Sequence, residues 1–197
     1  EWYLEDEMNN FYTFEELQEM GFGHLGGTDI LISKKCSIFR PENMSLGNHV
    51  RIDDFCLLSG HLTIGNYIHI AAYTAFFGGQ SKIIMDDFSG LAYRSTIVAE
   101  TDDYSGDFLT NPEVDAKYRS ISREPVHIGK HVVLGAGSVV LPGVCIGEGC
   151  SFGAMSLVNK STEPWGVYVG APCRRIKDRS KKLLGLEKEF LADEERQ

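Results

Sequence analysis

Proline is scarce in this chain, positive charge is outweighed, and no long apolar run appears. Only 6 of the 197 residues are proline while 21 are glycine, a balance that favours many regular tight turns over disorder. Lys and Arg number 19 against 28 Asp and Glu, giving a formal net charge of -9, which argues against nonspecific binding of nucleic acid. No apolar stretch is long enough to cross a membrane, and no secretory signal is apparent. The 5 cysteines are odd in number and include no CxxC pair; a reducing cytoplasm is the expected location.

What is present is unevenly spread. The first twenty residues hold seven carboxylates and no Lys or Arg, whereas the run from Arg174 to Lys182 holds six basic residues. An anionic ligand is expected to meet the chain there. The length suits one domain with a core that stands without staples. Met8-Asn9-Asn10-Phe11 reads as a natural start, with residues 1–7 set apart as an appended segment and residues 8–197 as the single domain.

The dominant pattern is a six-residue ladder. Stepping by six from Leu46 gives Ile52, Leu58, Ile64, Ile70 and Phe76. The register resumes at Met85, Leu91 and Ile97, and again as Ile128, Leu134, Val140, Ile146, Phe152 and Val158. In the last block, the residue four places on is always small or β-branched: Val132, Ser138, Val144, Cys150, Ser156 and Thr162. A period of six is neither the 3.6 of a helix nor the 2 of an alternating strand. It describes a short strand and a turn per hexad, with three hexads closing one triangular coil that buries its inner face on the next. Gly and Asn just after the aliphatic, as in Gly47-Asn48, Gly65-Asn66, Gly129, Gly135, Gly147 and Gly153, are read as corners needing permissive backbone. Cys36, Cys56 and Cys150 fall at small corner positions and are expected to pack as small hydrophobes.

Flanking segments differ in kind. Thr13-Phe14-Glu15-Glu16 is a capping box opening a helix that Gly21 ends, within residues 11–21, and it is expected to cover the first coil. The ladder occupies residues 30–100 and 126–162. Leu183, Leu184, Leu186, Phe190 and Leu191 give an apolar helical stripe within residues 179–197, expected to cap or cross the last coil. Residues 101–125 break the register with Asp102-Asp103-Tyr104-Ser105-Gly106, then Thr110-Asn111-Pro112, then Lys117-Tyr118-Arg119. So long a loop in a regular solenoid is usually functional.

With Gly170-Ala171-Pro172-Cys173-Arg174-Arg175-Ile176-Lys177 after the last hexad, the chain resembles the hexapeptide-repeat acyltransferases. These include galactoside, maltose and serine acetyltransferases and nucleotide-sugar N-acyltransferases. The closest pattern is the subgroup that acylates dTDP-amino sugars, of the anthrose-pathway type. It is carried by Phe11 to Gly21, Arg51 to Cys56, His69 to Thr74, Asp102 to Gly106 and Gly153 to Ser156. The resemblance implies an all-β solenoid, a left-handed parallel β-helix, working as a homotrimer with active sites between subunits. It implies acetyl-CoA or another acyl-CoA as co-substrate, no permanently bound cofactor and no metal.

One departure bears on the acceptor. Galactoside-type enzymes carry a catalytic His in the long loop, and residues 101–125 here contain none. An alcohol needs a general base because its own pKa is far above 7. An amine with some neutral form can attack a thioester once positioned. The expectation is therefore N-acylation of a nucleotide-linked amino sugar, probed against O-acetylation of a saccharide as the alternative.

Asp102 and Asp103 either hold the acceptor's amino group or simply form a turn. His69 is a candidate base or acceptor contact, or an ordinary surface histidine. Asp53, Asp54 and Tyr73 are candidate acceptor contacts with turn or interface roles as the alternative, and Glu100, in the neighbourhood of Asp102, and Asn111 are further candidate acceptor contacts. For coenzyme A, backbone near Gly135-Ala136 and Gly153-Ala154 is expected to pair with the pantetheine amides. Arg174, Arg175 and Lys177, in the tail of residues 163–178, are expected to meet the phosphates. Two other classes stand beside this reading: a β-helix zinc hydratase, which His127 and His131 suggest, and an inert solenoid.

Overall fold

The computed structural model of the chain describes residues 10–196, so the expected start at Met8 lies outside it. Its body is a parallel β-helix with three faces. The first face stacks Ile30–Ile32, Val50–Ile52, Ile68–Ile70, Gly90–Leu91, Val133–Leu134, Ser151–Phe152 and Gly166–Val169. The second runs through Ser37–Phe39, the first halves of Leu57–Ile64 and Ala75–Met85, then Thr96–Val98, Val139–Val140 and Leu157–Val158. The third holds Met44–Leu46, the second halves of the two long strands, Val126–Ile128 and Cys145–Ile146.

The ladder residues are the core. Every one, from Leu46 to Val158, is between 0 and 4 % exposed, because an inward side chain on each face meets its counterpart one coil above and below. Phe76 is the largest fully buried side chain; truncating it to Ala would cost about 3–5 kcal/mol. The small residues four places on close the corners. Ser95, Ser138 and Ser156 are buried, and each hydroxyl donates to the carbonyl three residues back at 2.7 Å, so no corner carbonyl there goes unpaired.

The glycines after the ladder residues have a different role from the one expected. None of Gly47, Gly65, Gly129, Gly135, Gly147 and Gly153 has positive φ. They are small because coils approach closely: a Cβ on Gly135 would lie 2.5 Å from the Ala154 nitrogen. The left-handed residues come two places later. Tyr67 (φ 55), Phe88 (φ 57) and His131 (φ 60) turn the corner between the third and first faces, and Phe55 (φ 61), Tyr73 (φ 63) and Arg94 (φ 59) the corner between the first and second. That conformation is costly for bulky residues. Stacking offsets the cost, with His49 on Tyr67 at 4.5 Å, Tyr67 on Phe88 at 4.6 Å and Phe55 on Tyr73 at 5.0 Å.

Two helices flank the solenoid. Helix α1 (Phe14–Glu19) starts at Thr13, whose hydroxyl accepts from the Glu16 N–H while the Glu16 carboxylate accepts from the Thr13 N–H. Its Leu17 is fully buried in the core cluster. Helix α2 (Leu183–Glu194) does not stop at the last coil. It runs back across several coils along the corner between the third and first faces. Glu187 accepts from Lys130 and from His131, Phe190 packs edge-on to Tyr67 and Phe88, and the Tyr67 hydroxyl donates to Glu194. The aromatic corner column supplies the apolar surface that α2 covers.

Residues 101–125 are not an open loop at their base. Glu100–Asp102 pairs antiparallel with Ile121–Arg123, forming a hairpin at the corner between the second and third faces. Among the described residues no helix is long and apolar enough to cross a membrane.

Candidate active site

The corner between the first and second faces carries a groove of about 470 Å³ lined by Ala72, Tyr73, Tyr93, Ala136, Ala154 and Met155, with Arg94 beside them. Small residues make it: Ala136 and Ala154 follow the glycines that let the coils close up. Gly135 and Gly153 spend their own N–H groups on Phe152 and Tyr168. The Ala136 and Ala154 N–H groups have no partner among the described residues, so this edge of the coil offers donors to an extended, amide-bearing ligand. Tyr93 and Arg94 were not singled out in the sequence, and Ala72 and Met155 entered only within the stretches that carry the resemblance. The available signal was position, since Tyr73, Arg94, Gly137 and Met155 each stand three places after a ladder residue.

A second hollow, about 290 Å³, adjoins the groove on the first face and shares Tyr93; His69, Ala71, Leu91 and Val133 line it. His69 Nε2 lies 2.8 Å from Asp53 Oδ2, while Arg51 Nε donates to Asp53 Oδ1 at 2.6 Å. Burial pushes the Asp53 carboxyl up, but the bonds from His69 and Arg51 outweigh it and hold its pKa below the usual carboxylate value. Asp53 thus orients His69. Asp54 is turned away, accepting from Ser33 and Lys35, and Tyr73 stacks on Phe55 with the Arg94 guanidinium over its ring at 5.8 Å.

At the opposite end of the second face, the hairpin encloses a polar hollow of about 340 Å³ lined by Glu100, Thr101, Asp102, Pro112, Arg119 and Ile121. Asp102 Oδ2 accepts from the Asn111 N–H at 3.2 Å, leaving its other oxygen for a ligand. Asp103 is a turn-former: it accepts from the Ser105 hydroxyl and the Gly106 N–H, and the Ser105 bond leads in holding its carboxyl below the ordinary value. Asn111 forms a separate turn, its side chain accepting from the Glu113 N–H and its carbonyl from the Val114 N–H. Glu100 is occupied from within the chain, its Oε2 accepting from the Gln80 N–H at 2.8 Å and Arg123 Nε at 3.0 Å. Arg119, named in the sequence only as part of the loop and not as a site candidate, has a buried Nε with no partner among the described residues.

The basic tail forms Arg174–Asp178, antiparallel to Gly166–Val169. Arg174 pairs with Val169, one coil beyond Ala154, and so stands at the end of the groove. Arg174 and Lys177 have no ion-pair partner among the described residues, whereas Arg175 is bonded to Asp178 and to the Pro164 and Trp165 carbonyls. His127 and His131 are kept apart: His127 pairs with Asp86 at 2.8 Å and His131 with Glu187 at 2.9 Å.

Residues 125–160 match the family model for the bacterial transferase hexapeptide (six repeats). Over 178 residues, 89% of this chain and 92% of the other, the sequence is 43% identical to a dTDP-4-amino-4,6-dideoxy-D-glucose acyltransferase of Escherichia coli. The chain belongs to the hexapeptide-repeat acyltransferases. Two solved structures are similar to this acyltransferase throughout. AntD, an N-acyltransferase from Bacillus cereus, in complex with dTDP and 3-hydroxybutyryl-CoA, is 48% identical with a TM-score of 0.92, over 95% of this chain and 100% of that one. A point variant of AntD with dTDP-4-amino-4,6-dideoxyglucose and coenzyme A is 49% identical with a TM-score of 0.91, over 94% and 99%. The left-handed parallel β-helix expected from the family is the fold of this acyltransferase.

Proposed function

We propose that this acyltransferase moves an acyl group from acyl-CoA to the amino group of a dTDP-linked amino sugar, in one step within a ternary complex. The observation that carries the reading is the likeness along the whole chain to enzymes named for that acceptor and that donor. Its geometry supports the same assignment. Pantetheine lies in the groove along Ala136 and Ala154, with Gly135 and Gly153 beneath it. Arg174 and Lys177 meet the phosphates at the nucleotide end of coenzyme A, and Arg175 holds the strand in place. Asp102 accepts a hydrogen bond from the acceptor's neutral amine and aims its lone pair at the thioester carbonyl. The C–N bond forms, the C–S bond breaks, and the amine's proton leaves with the coenzyme A thiolate. A backbone N–H of the groove steadies the carbonyl oxygen as it gains charge. His69, held by Asp53, contacts the acceptor or acyl group from the adjoining hollow, and Tyr73 walls the groove.

The protein works as a homotrimer in the cytoplasm. Within one chain Asp102 and the groove sit at different corners, so a site that uses both draws them from two copies around a threefold axis. The test is thiol release from acetyl-CoA and 3-hydroxybutyryl-CoA with dTDP-4-amino-4,6-dideoxyglucose, a UDP-amino sugar and simple galactosides. Release with the dTDP-amino sugar, with amide in the product, is expected; turnover on galactosides alone would overturn the reading.

A further inference from the structure

Glu100 sits where the hairpin leaves the solenoid, and its contacts run to both. The Gln80 N–H belongs to the turn Gly78-Gly79-Gln80 of the long strand Ala75–Met85, one coil away on the same corner, and Arg123 belongs to the returning arm of the hairpin. Both donate to one oxygen, so a single carboxylate ties outgoing arm, returning arm and coil together. The turn is shaped to admit it. Gly79 has φ +55, and a Cβ there would lie 2.3 Å from Glu100 Oε2, too close to coexist with the carboxylate in this place. Asp102 lies two residues beyond Glu100 on the same strand, and the side chains of both line one hollow.

We propose that Glu100 is a positioning residue: it braces the hairpin against the coil and thereby sets Asp102 for the acceptor amine. This rests on the role given to Asp102 above. A brace needs an acceptor atom at this place and not a negative charge toward the substrate, which separates it from a direct acceptor contact. Steady-state kinetics with the dTDP-amino sugar on the full chain, its Glu100→Ala, Glu100→Gln, Arg123→Ala and Gly79→Ala variants, and the Glu100→Ala/Arg123→Ala double variant test it. Turnover by the unmodified chain checks the underlying reading by itself; the pattern among variants checks the brace. Glu100→Ala is expected to lower kcat about 10-fold or more while leaving KM for acyl-CoA unchanged. Gly79→Ala should do the same without touching any charge. Glu100→Gln, whose amide oxygen still accepts both bonds, should stay within about 2-fold of the unmodified chain, and the double variant should be no worse than the worse single. Glu100→Gln as impaired as Glu100→Ala, or full activity in Glu100→Ala, would overturn the proposal. Should Glu100→Ala fail to fold, Glu100→Gln against Gly79→Ala decides it.

Discussion

Asp102 and Ala136 stand at opposite ends of the same face. Thr96–Val98 and Val139–Val140 are neighbours on the second face; Ala136 lies just before that pair of strands and Asp102 just after it. The width of a face therefore separates the carboxylate from the groove in one chain. That separation turns the functional assignment into a statement about assembly, and it shapes the predictions.

Replacing Asp102 with Asn keeps the bond from Asn111 available and removes the charge. The account predicts a fall in kcat/KM for the amino sugar on the order of 100-fold, with KM for acyl-CoA unchanged. Activity at the unmodified level would remove Asp102 from the mechanism. Asp103→Asn should instead act on the turn at Ser105 and Gly106, with a smaller kinetic effect than Asp102→Asn in the same assay.

Groove and coil can be separated by substitution. Ala154→Leu places its side chain in the groove and should raise KM for acyl-CoA with little change in Tm. Gly135→Ala has no room, with the Ala154 nitrogen 2.5 Å from the new Cβ, and should destabilise by about 1–3 kcal/mol. Denaturant unfolding beside acyl-CoA titration distinguishes the two.

The basic tail divides in the same way. Arg174→Gln should raise KM for acyl-CoA on the order of 10-fold through loss of a charge-assisted contact. Arg175→Gln breaks bonds to the Pro164 and Trp165 carbonyls and should lower Tm more than it raises that KM. Equal kinetic effects from both would mean that internal bonding does not distinguish them.

Helix α2 is held partly by a carboxylate whose ionisation has a readable sign. Burial pushes the Glu187 carboxyl up, while the bonds from Lys130 and His131 outweigh it, so its pKa lies below the ordinary value. A depressed carboxyl contributes stability that is present above the unfolded value and lost as pH falls through the folded one. Glu187→Gln should therefore lower Tm by about 3–6 °C at pH 7, and the gap should close as the pH is lowered through the carboxylate range. No gap at pH 7 would place the helix's attachment elsewhere, in Phe190 against Tyr67 and Phe88, and a gap that persists at acid pH would contradict the role given to the charge.

The architecture was legible because a six-residue period has one physical meaning: every ladder residue from Leu46 to Val158 points inward. Corner chemistry was less so. Gly135 looked like a permissive hinge, yet what it provides is space for the next coil, and the left-handed backbone falls on Tyr73, Arg94 and Met155, residues that propensity would not nominate. The path of α2 could not be read either, since Glu187 finds its partners 56 and 57 residues away. The groove at Ala136 and Ala154 was anticipated from small residues in register. The contacts of Glu100 and Asp103 were not, because whether a carboxylate faces a ligand or its own chain depends on how the hairpin closes.

The claim that the site is shared between copies is tested most directly by subunit mixing. Asp102→Asn chains keep the groove, and chains with Ala154→Trp keep Asp102. Each alone should be nearly inactive on the dTDP-amino sugar. Refolded together in equal amounts, random assembly around a threefold axis leaves about one quarter of the sites with both parts intact, and activity should return to about that fraction of the unmodified protein. Mixtures no more active than their parents would contradict the account.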